Sequence, residues 1–109
     1  MSLRKIRNLI KNDQYRLTRH ALQECRSRQI TVQDIEDAIA IGEIIETHVD
    51  DWGFDCYLIA GERFNGYAIH VACKIVDDVL QINTAYFPHS HLWIKDRIRR
   101  VRKRRRRKR

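Results

Sequence analysis

A histidine that titrates near neutral pH can take or give a proton, and an arginine can hold a phosphate through two parallel N–H donors. In this chain of 109 residues the groups of that kind are His20, Arg28, His70, Thr84 and Tyr86. Metal-independent RNA cleavage uses such a set. A base removes the 2′-hydroxyl proton, an acid protonates the departing 5′-oxygen, and cations stabilise charge at phosphorus. Other chemistries have less support. No GxxxxGK[ST] loop, GxGxxG turn or GxSxG elbow occurs, so nucleotide cradles and the hydrolase elbow lose their usual signatures. His89 and His91 could chelate a metal, but no Cys lies near and no third ligand is evident. Cys25, Cys56 and Cys73 form no CxxC pair and are expected to be reduced, buried thiols. No metal and no cofactor is implied.

Those residues need a scaffold. Leu3, Ile6 and Ile10 recur at helical spacing and predict a helix from Ser2 to about Lys11. Thr18 is an N-cap candidate for a helix from Arg19 to about Arg28, which carries His20 and Arg28. Thr31, with Asp34 three residues on, opens a third helix. Val32, Ile35, Ala38 and Ile39 form its inner stripe, and Gly42 reads as its C′ stop. Beyond Gly42 the period falls to about 2. Strands are expected at 43–49, 56–64, 67–76 and 79–87, with Pro88 ending the last. A final helix is expected from about Ser90, with Ile94, Ile98 and Val101 on one face. The expected class is α+β: three N-terminal helices, a four-stranded, mostly antiparallel sheet and a C-terminal helix. Residues 1–96 read as one domain. Residues 97–109 read as a basic tail, a helix end followed by disordered chain.

The tight turns set which side chains share a face. Asn65-Gly66 reads as the two loop residues of a type I′ hairpin. Ala60 then faces Val71, and Leu58 faces Cys73. With Asp77-Asp78 as the next loop, Val71 faces Thr84, Cys73 faces Ile82, and Ile75 faces Leu80. Leu58, Ala60, Ile69, Val71, Cys73, Ile75, Leu80 and Ile82 then form the apolar face beneath the helices, with Thr84 and Tyr86 on the same side. His70 falls on the opposite face among Tyr57, Arg63, Lys74, Gln81 and Asn83. There its ring is expected to look into solvent beside cations, on a surface suited to a nucleic-acid strand.

Charge divides the chain. Residues 1–96 hold 11 Lys/Arg and all 14 Asp/Glu, a net −3, whereas 97–109 hold 11 basic residues and no acid. A run of that kind most often meets a polyanion. Arg63, Lys74, Arg97, Arg99, Arg100, Arg102, Lys103, Arg104, Arg105 and Arg106 are therefore nucleic-acid-binding candidates. No apolar run reaches the roughly 18 residues of a membrane span, and the first residues lack a signal-peptide core, which predicts a cytoplasmic protein. The acidic loop 50–55 carries Trp52 and Phe54, a pair suited to a protein contact or to cover for a sheet edge.

A set of short motifs resembles the domain-of-unknown-function family 4258. They are Tyr15-Arg16-Leu17-Thr18-Arg19-His20-Ala21, Arg28-x-Ile30, Asp34, Ala38, Gly42-Glu43, Cys56-x-Leu58-x-x-Gly61, His70-Val71, Thr84-x-Tyr86-x-Pro88 and Trp93. The resemblance spans about residues 3 to 100. Glu24 stands where the family often has Arg, and Gln29 where it often has Gly. The resemblance implies a RelE- or MqsR-like (BECR-type) layout. It also implies a toxin-like endoribonuclease of the mRNA interferase type, neutralised by an antitoxin-like partner. It makes His20, Arg28, His70, Thr84 and Tyr86 the candidate catalytic residues. The expected partner is RNA, with a homodimer through a sheet edge also open to the chain. A non-catalytic RNA- or ribosome-binding module and a protein-interaction domain are the alternative readings.

Overall fold

The computed structural model describes residues 2–89 and the backbone of 93–94 and 98–99. Three helices come first: α1 (Ser2–Lys11), α2 (Arg19–Arg28) and α3 (Val32–Ile41). Their starts are local chemistry. The Thr18 hydroxyl accepts from the Ala21 amide at 3.1 Å. Thr31 and Asp34 close a reciprocal capping box, each side chain accepting the other's amide at 3.0 Å. Gly42 does not end α3 in the left-handed conformation, since its φ is −79°. Its role is close approach: a Cβ there would lie 2.5 Å from the Ala38 carbonyl oxygen.

The sheet corrects the expected four antiparallel strands. It has five, in the order β1-β5-β4-β3-β2, and is mixed. The strands are β1 (Tyr15–Leu17), β2 (Glu43–Val49), β3 (Asp55–Glu62), β4 (Ala68–Val76) and β5 (Val79–Tyr86). The added strand, β1, runs parallel to β5 and pairs Tyr15 with Leu80 and Leu17 with Ile82. With only three residues it shows no readable period. The Tyr15 hydroxyl donates to Glu36 at 2.5 Å and ties β1 to α3. That bond pushes the Tyr15 phenol up to about 12. The expected C-terminal helix is also overturned, because Trp93–Ile94 (β6) and Ile98–Arg99 (β7) pair as an antiparallel ribbon.

Two one-residue events reset the faces. The β3–β4 turn has three loop residues, because the Arg63 amide donates to the Tyr67 carbonyl and only Gly66, at φ 85°, is left-handed. Ala60 therefore faces His70, not Val71, and Leu58 faces Ala72, not Cys73. The Asp77-Asp78 turn has both residues at positive φ, as a type I′ loop requires, so Ile75 faces Leu80 and Cys73 faces Ile82 as expected. Asn83 is then an extra residue on β5, and Thr84 faces Ala72 rather than Val71.

Ile59, Val71, Cys73, Leu80, Ile82 and Ala85 accordingly meet Ile6, Ala21, Ile35, Ala38 and Ile39 of the helices in the core. Gly61 lets α3 lie directly on β3, since a Cβ there would sit 2.1 Å from the Ala38 carbonyl oxygen. Leu58, Ala60 and His70 are buried on the other side of the sheet. No helix among the described residues is long and apolar enough to cross a membrane, which says nothing of a β-barrel.

Candidate active site

Because β1 stops at Leu17, opposite Ile82, no strand among the described residues flanks the C-terminal half of β5 on that side. The last turn of α2 takes its place. Arg28 Nη1 donates to the Ala85 carbonyl at 3.0 Å, and its Nη2 pairs with Glu24 one turn back. Beyond this contact lies a cleft of about 390 Å³ lined by Arg28, Tyr86, Phe87 and His89. The chain enters it as β5 ends, just before and after Pro88.

Behind Tyr86 stands His70. The two residues are opposed in the β4–β5 ladder. Their rings meet edge-to-face at 5.3 Å between centroids, and His70 Nδ1 shares a hydrogen bond of 3.3 Å with the Tyr86 hydroxyl. The expected solvent-facing imidazole is overturned, because His70 is 0% exposed. His70 keeps the sheet face away from the helices, where its ladder neighbours are Ala60 and Tyr86. The bulge at Asn83 moves Thr84 and Tyr86 off the core face, where they were expected, and onto the face of His70. Burial and a hydroxyl partner suit His70 to orienting Tyr86, a positioning task.

The other candidates are dispersed. His20 is exposed in the first turn of α2, two turns from Arg28. Thr84 is half-buried and does not line the cleft. Arg63 pairs with Asp34 at 3.2 Å, and Lys74 pairs with Asp50 at 2.7 Å, so carboxylates hold both cations. Arg97, Arg100, Arg102, Lys103, Arg104, Arg105 and Arg106 lie outside the described residues, and Arg99 is described only as backbone in β7. Two cleft residues escaped the sequence reading as site residues. From the sequence, His89 reads only as a possible chelator and Phe87 only as the end of a strand. A usable signal was a histidine directly after the proline that ends a strand.

No cysteine is poised as a nucleophile. Burial pushes the Cys25 and Cys56 thiols up, and takes Cys73 to about 12. Among the described residues no group of three or more His, Cys, Asp or Glu is placed to hold a metal ion.

Residues 17–87 match a protein-family model described as Domain of unknown function (DUF4258). No curated protein and no solved structure matches the chain.

Proposed function

The chain belongs to the family Domain of unknown function (DUF4258), and from that premise we propose that it is a toxin-like endoribonuclease acting at the Arg28–Tyr86–His89 cleft. One observation carries the reading: a guanidinium, a phenol and an imidazole line one cleft, with a buried histidine bonded behind the phenol. The balanced step is a transesterification. His89 takes the proton of an RNA 2′-hydroxyl, whose oxygen forms a bond to the adjacent phosphorus. The bond from phosphorus to the 5′-oxygen breaks, and Tyr86 supplies that oxygen's proton. The products are a 2′,3′-cyclic phosphate and a 5′-hydroxyl. Arg28 meets the charge on the phosphoryl oxygens, using fork donors beyond those given to Ala85 and Glu24.

The test is cleavage of single-stranded RNA by the purified chain, with and without a chelator. Wild type is expected to cut in both conditions. Tyr86→Phe keeps the ring packing and removes the proton, so the rate is expected to fall about 100-fold, the low end for a lost general acid. Equal rates for wild type and Tyr86→Phe would refute the assignment.

The pairing of Glu24 with Arg28 favours a second reading, a non-catalytic RNA-binding module, because the carboxylate offsets the cleft's one guanidinium charge among the described residues. Binding by wild type without any cuts would select it. Glu24→Gln is expected to tighten RNA binding under either reading.

A further inference from the structure

We propose that Phe64, Arg63 and Phe87 form a stacking platform for an unpaired nucleobase, which makes single-stranded RNA the form of substrate this chain takes. The inference rests on the RNA reading above and extends it to the shape of the strand.

The Arg63 guanidinium carbon lies 5.6 Å from the Phe64 ring centroid and 5.5 Å from that of Phe87. One planar cation thus serves two rings from neighbouring segments at one end of the sheet: Phe64 in the β3–β4 turn and Phe87 just past β5. Phe87 also lines the cleft, so the platform and the proposed site share a wall. Phe64 is 80% exposed, and Phe87 is 37% exposed. Nothing in the chemistry of a three-residue turn asks for an aromatic at its first position. Exposing one there forgoes the burial that a phenyl ring ordinarily gains.

The electrostatics point to bases rather than phosphates. Arg63 is mostly buried and ion-paired to Asp34, itself held in the capping box of α3. The pair adds little net charge to draw a phosphate, and the rings carry none. What remains is π surface backed by a cation, the surface on which single-stranded nucleic acids stack. Arg63 Nε is buried with no hydrogen-bond partner among the described residues. The guanidinium thus lies near both rings with one buried donor left without a hydrogen bond among the described residues. The internal bases of a duplex are already stacked on neighbouring pairs and do not reach such a platform.

The experiment is fluorescence anisotropy with the full chain. It compares a short single-stranded RNA, the corresponding duplex, and a ribose-phosphate oligomer of equal length without bases. Phe64→Ala is expected to weaken single-strand binding about tenfold, the scale of one lost base stack. Binding of the duplex and the abasic oligomer should not change. Nor should the slope of affinity with salt, since no phosphate contact is lost. Phe64→Trp should restore binding and Phe64→Leu should not, which separates a stacked ring from an apolar filler. Equal weakening for all three ligands, or none for single-stranded RNA, overturns the platform. If cleavage then persists, the RNA reading survives without it. Absence of RNA binding by wild type removes both.

Discussion

Two clusters at opposite ends of the β3–β4 pair each join a basic side chain, an aspartate and phenylalanine, and end in different states. At one end Lys74, Asp50 and Phe54 close on themselves. Asp50 Oδ1 accepts the Trp52 and Phe54 amides, each at 2.9 Å, while Oδ2 accepts Lys74 Nζ at 2.7 Å. The ammonium lies 5.3 Å from the Phe54 ring centroid. At the other end the cluster of Arg63, Asp34, Phe64 and Phe87 is partly open: two rings are in reach of solvent, and the buried Arg63 Nε has no hydrogen-bond partner among the described residues. The shared pairing of a cation with an aspartate does not separate the two. The distribution of hydrogen-bond donors does: at Asp50 the loop amides take one carboxylate oxygen and Lys74 the other, whereas at Asp34 the Thr31 amide and the Arg63 guanidinium meet on the same oxygen, Oδ2. The closed cluster is a staple for its loop, and the open one borders the cleft.

Gly61 offers the strongest way to break this contrast. Gly61→Ala would drive a methyl group into the Ala38 backbone and lift α3 from β3. The expected loss is about 3 kcal/mol in urea unfolding, the upper range for overpacking. In surviving folded protein the Asp34–Arg63 pair should loosen while the Asp50–Lys74 staple holds. Amide chemical shifts at Trp52 and Phe54 that move as much as those at Thr31 and Asp34 would contradict the separation.

The staple has its own pH signature. Lys74, with the Phe54 and Trp52 amides, holds the Asp50 carboxyl at about 2, below its usual 3.8. A depressed folded-state value means the stabilisation is present above about pH 4 and is lost as pH falls toward 2. Asp50→Asn should lower stability at neutral pH and flatten its fall across that acid window. An unchanged acid limb would assign the loop's order to something other than Asp50.

A smaller effect is expected beside the cleft. Gln29 caps α2 in the left-handed conformation, φ 58° and ψ 41°, where the resembling family often has glycine. Gln29→Gly should stabilise the fold by about 0.5–1 kcal/mol, relief of a side chain in that region less the added freedom of the unfolded chain. The smallest change belongs to Trp52, which is 82% exposed on the stapled loop. Trp52→Ala should shift stability by no more than about 0.5 kcal/mol. A larger loss would show that the ring supports the staple.

Much of the candidate site was legible residue by residue and little of it as an arrangement. Arg28 and Tyr86 stood out by type and do meet at the cleft. His70 stood out too, but its expected exposure rested on a two-residue turn at Asn65-Gly66, and the chain makes a three-residue one. That extra residue reversed the face of β3 relative to β4, and the Asn83 bulge reversed Thr84 and Tyr86 on β5. Since side chains alternate, each such event flips every residue beyond it.

Sequence alone settled α1 by the helical spacing of Leu3, Ile6 and Ile10, and α2 and α3 because their caps at Thr18 and Thr31 are bonds between residues three apart. It also settled the Asp77-Asp78 turn, where two residues that tolerate positive φ sit between alternating runs. Tertiary structure alone decided the rest. It recruited Tyr15–Leu17 as a parallel strand and buried His70. It also gave Arg63 and Lys74 their carboxylates, 29 and 24 residues away in the chain. The physical reason is range: a cap is complete within one turn of chain, whereas a face, an edge or a distant ion pair exists only once the whole sheet has closed.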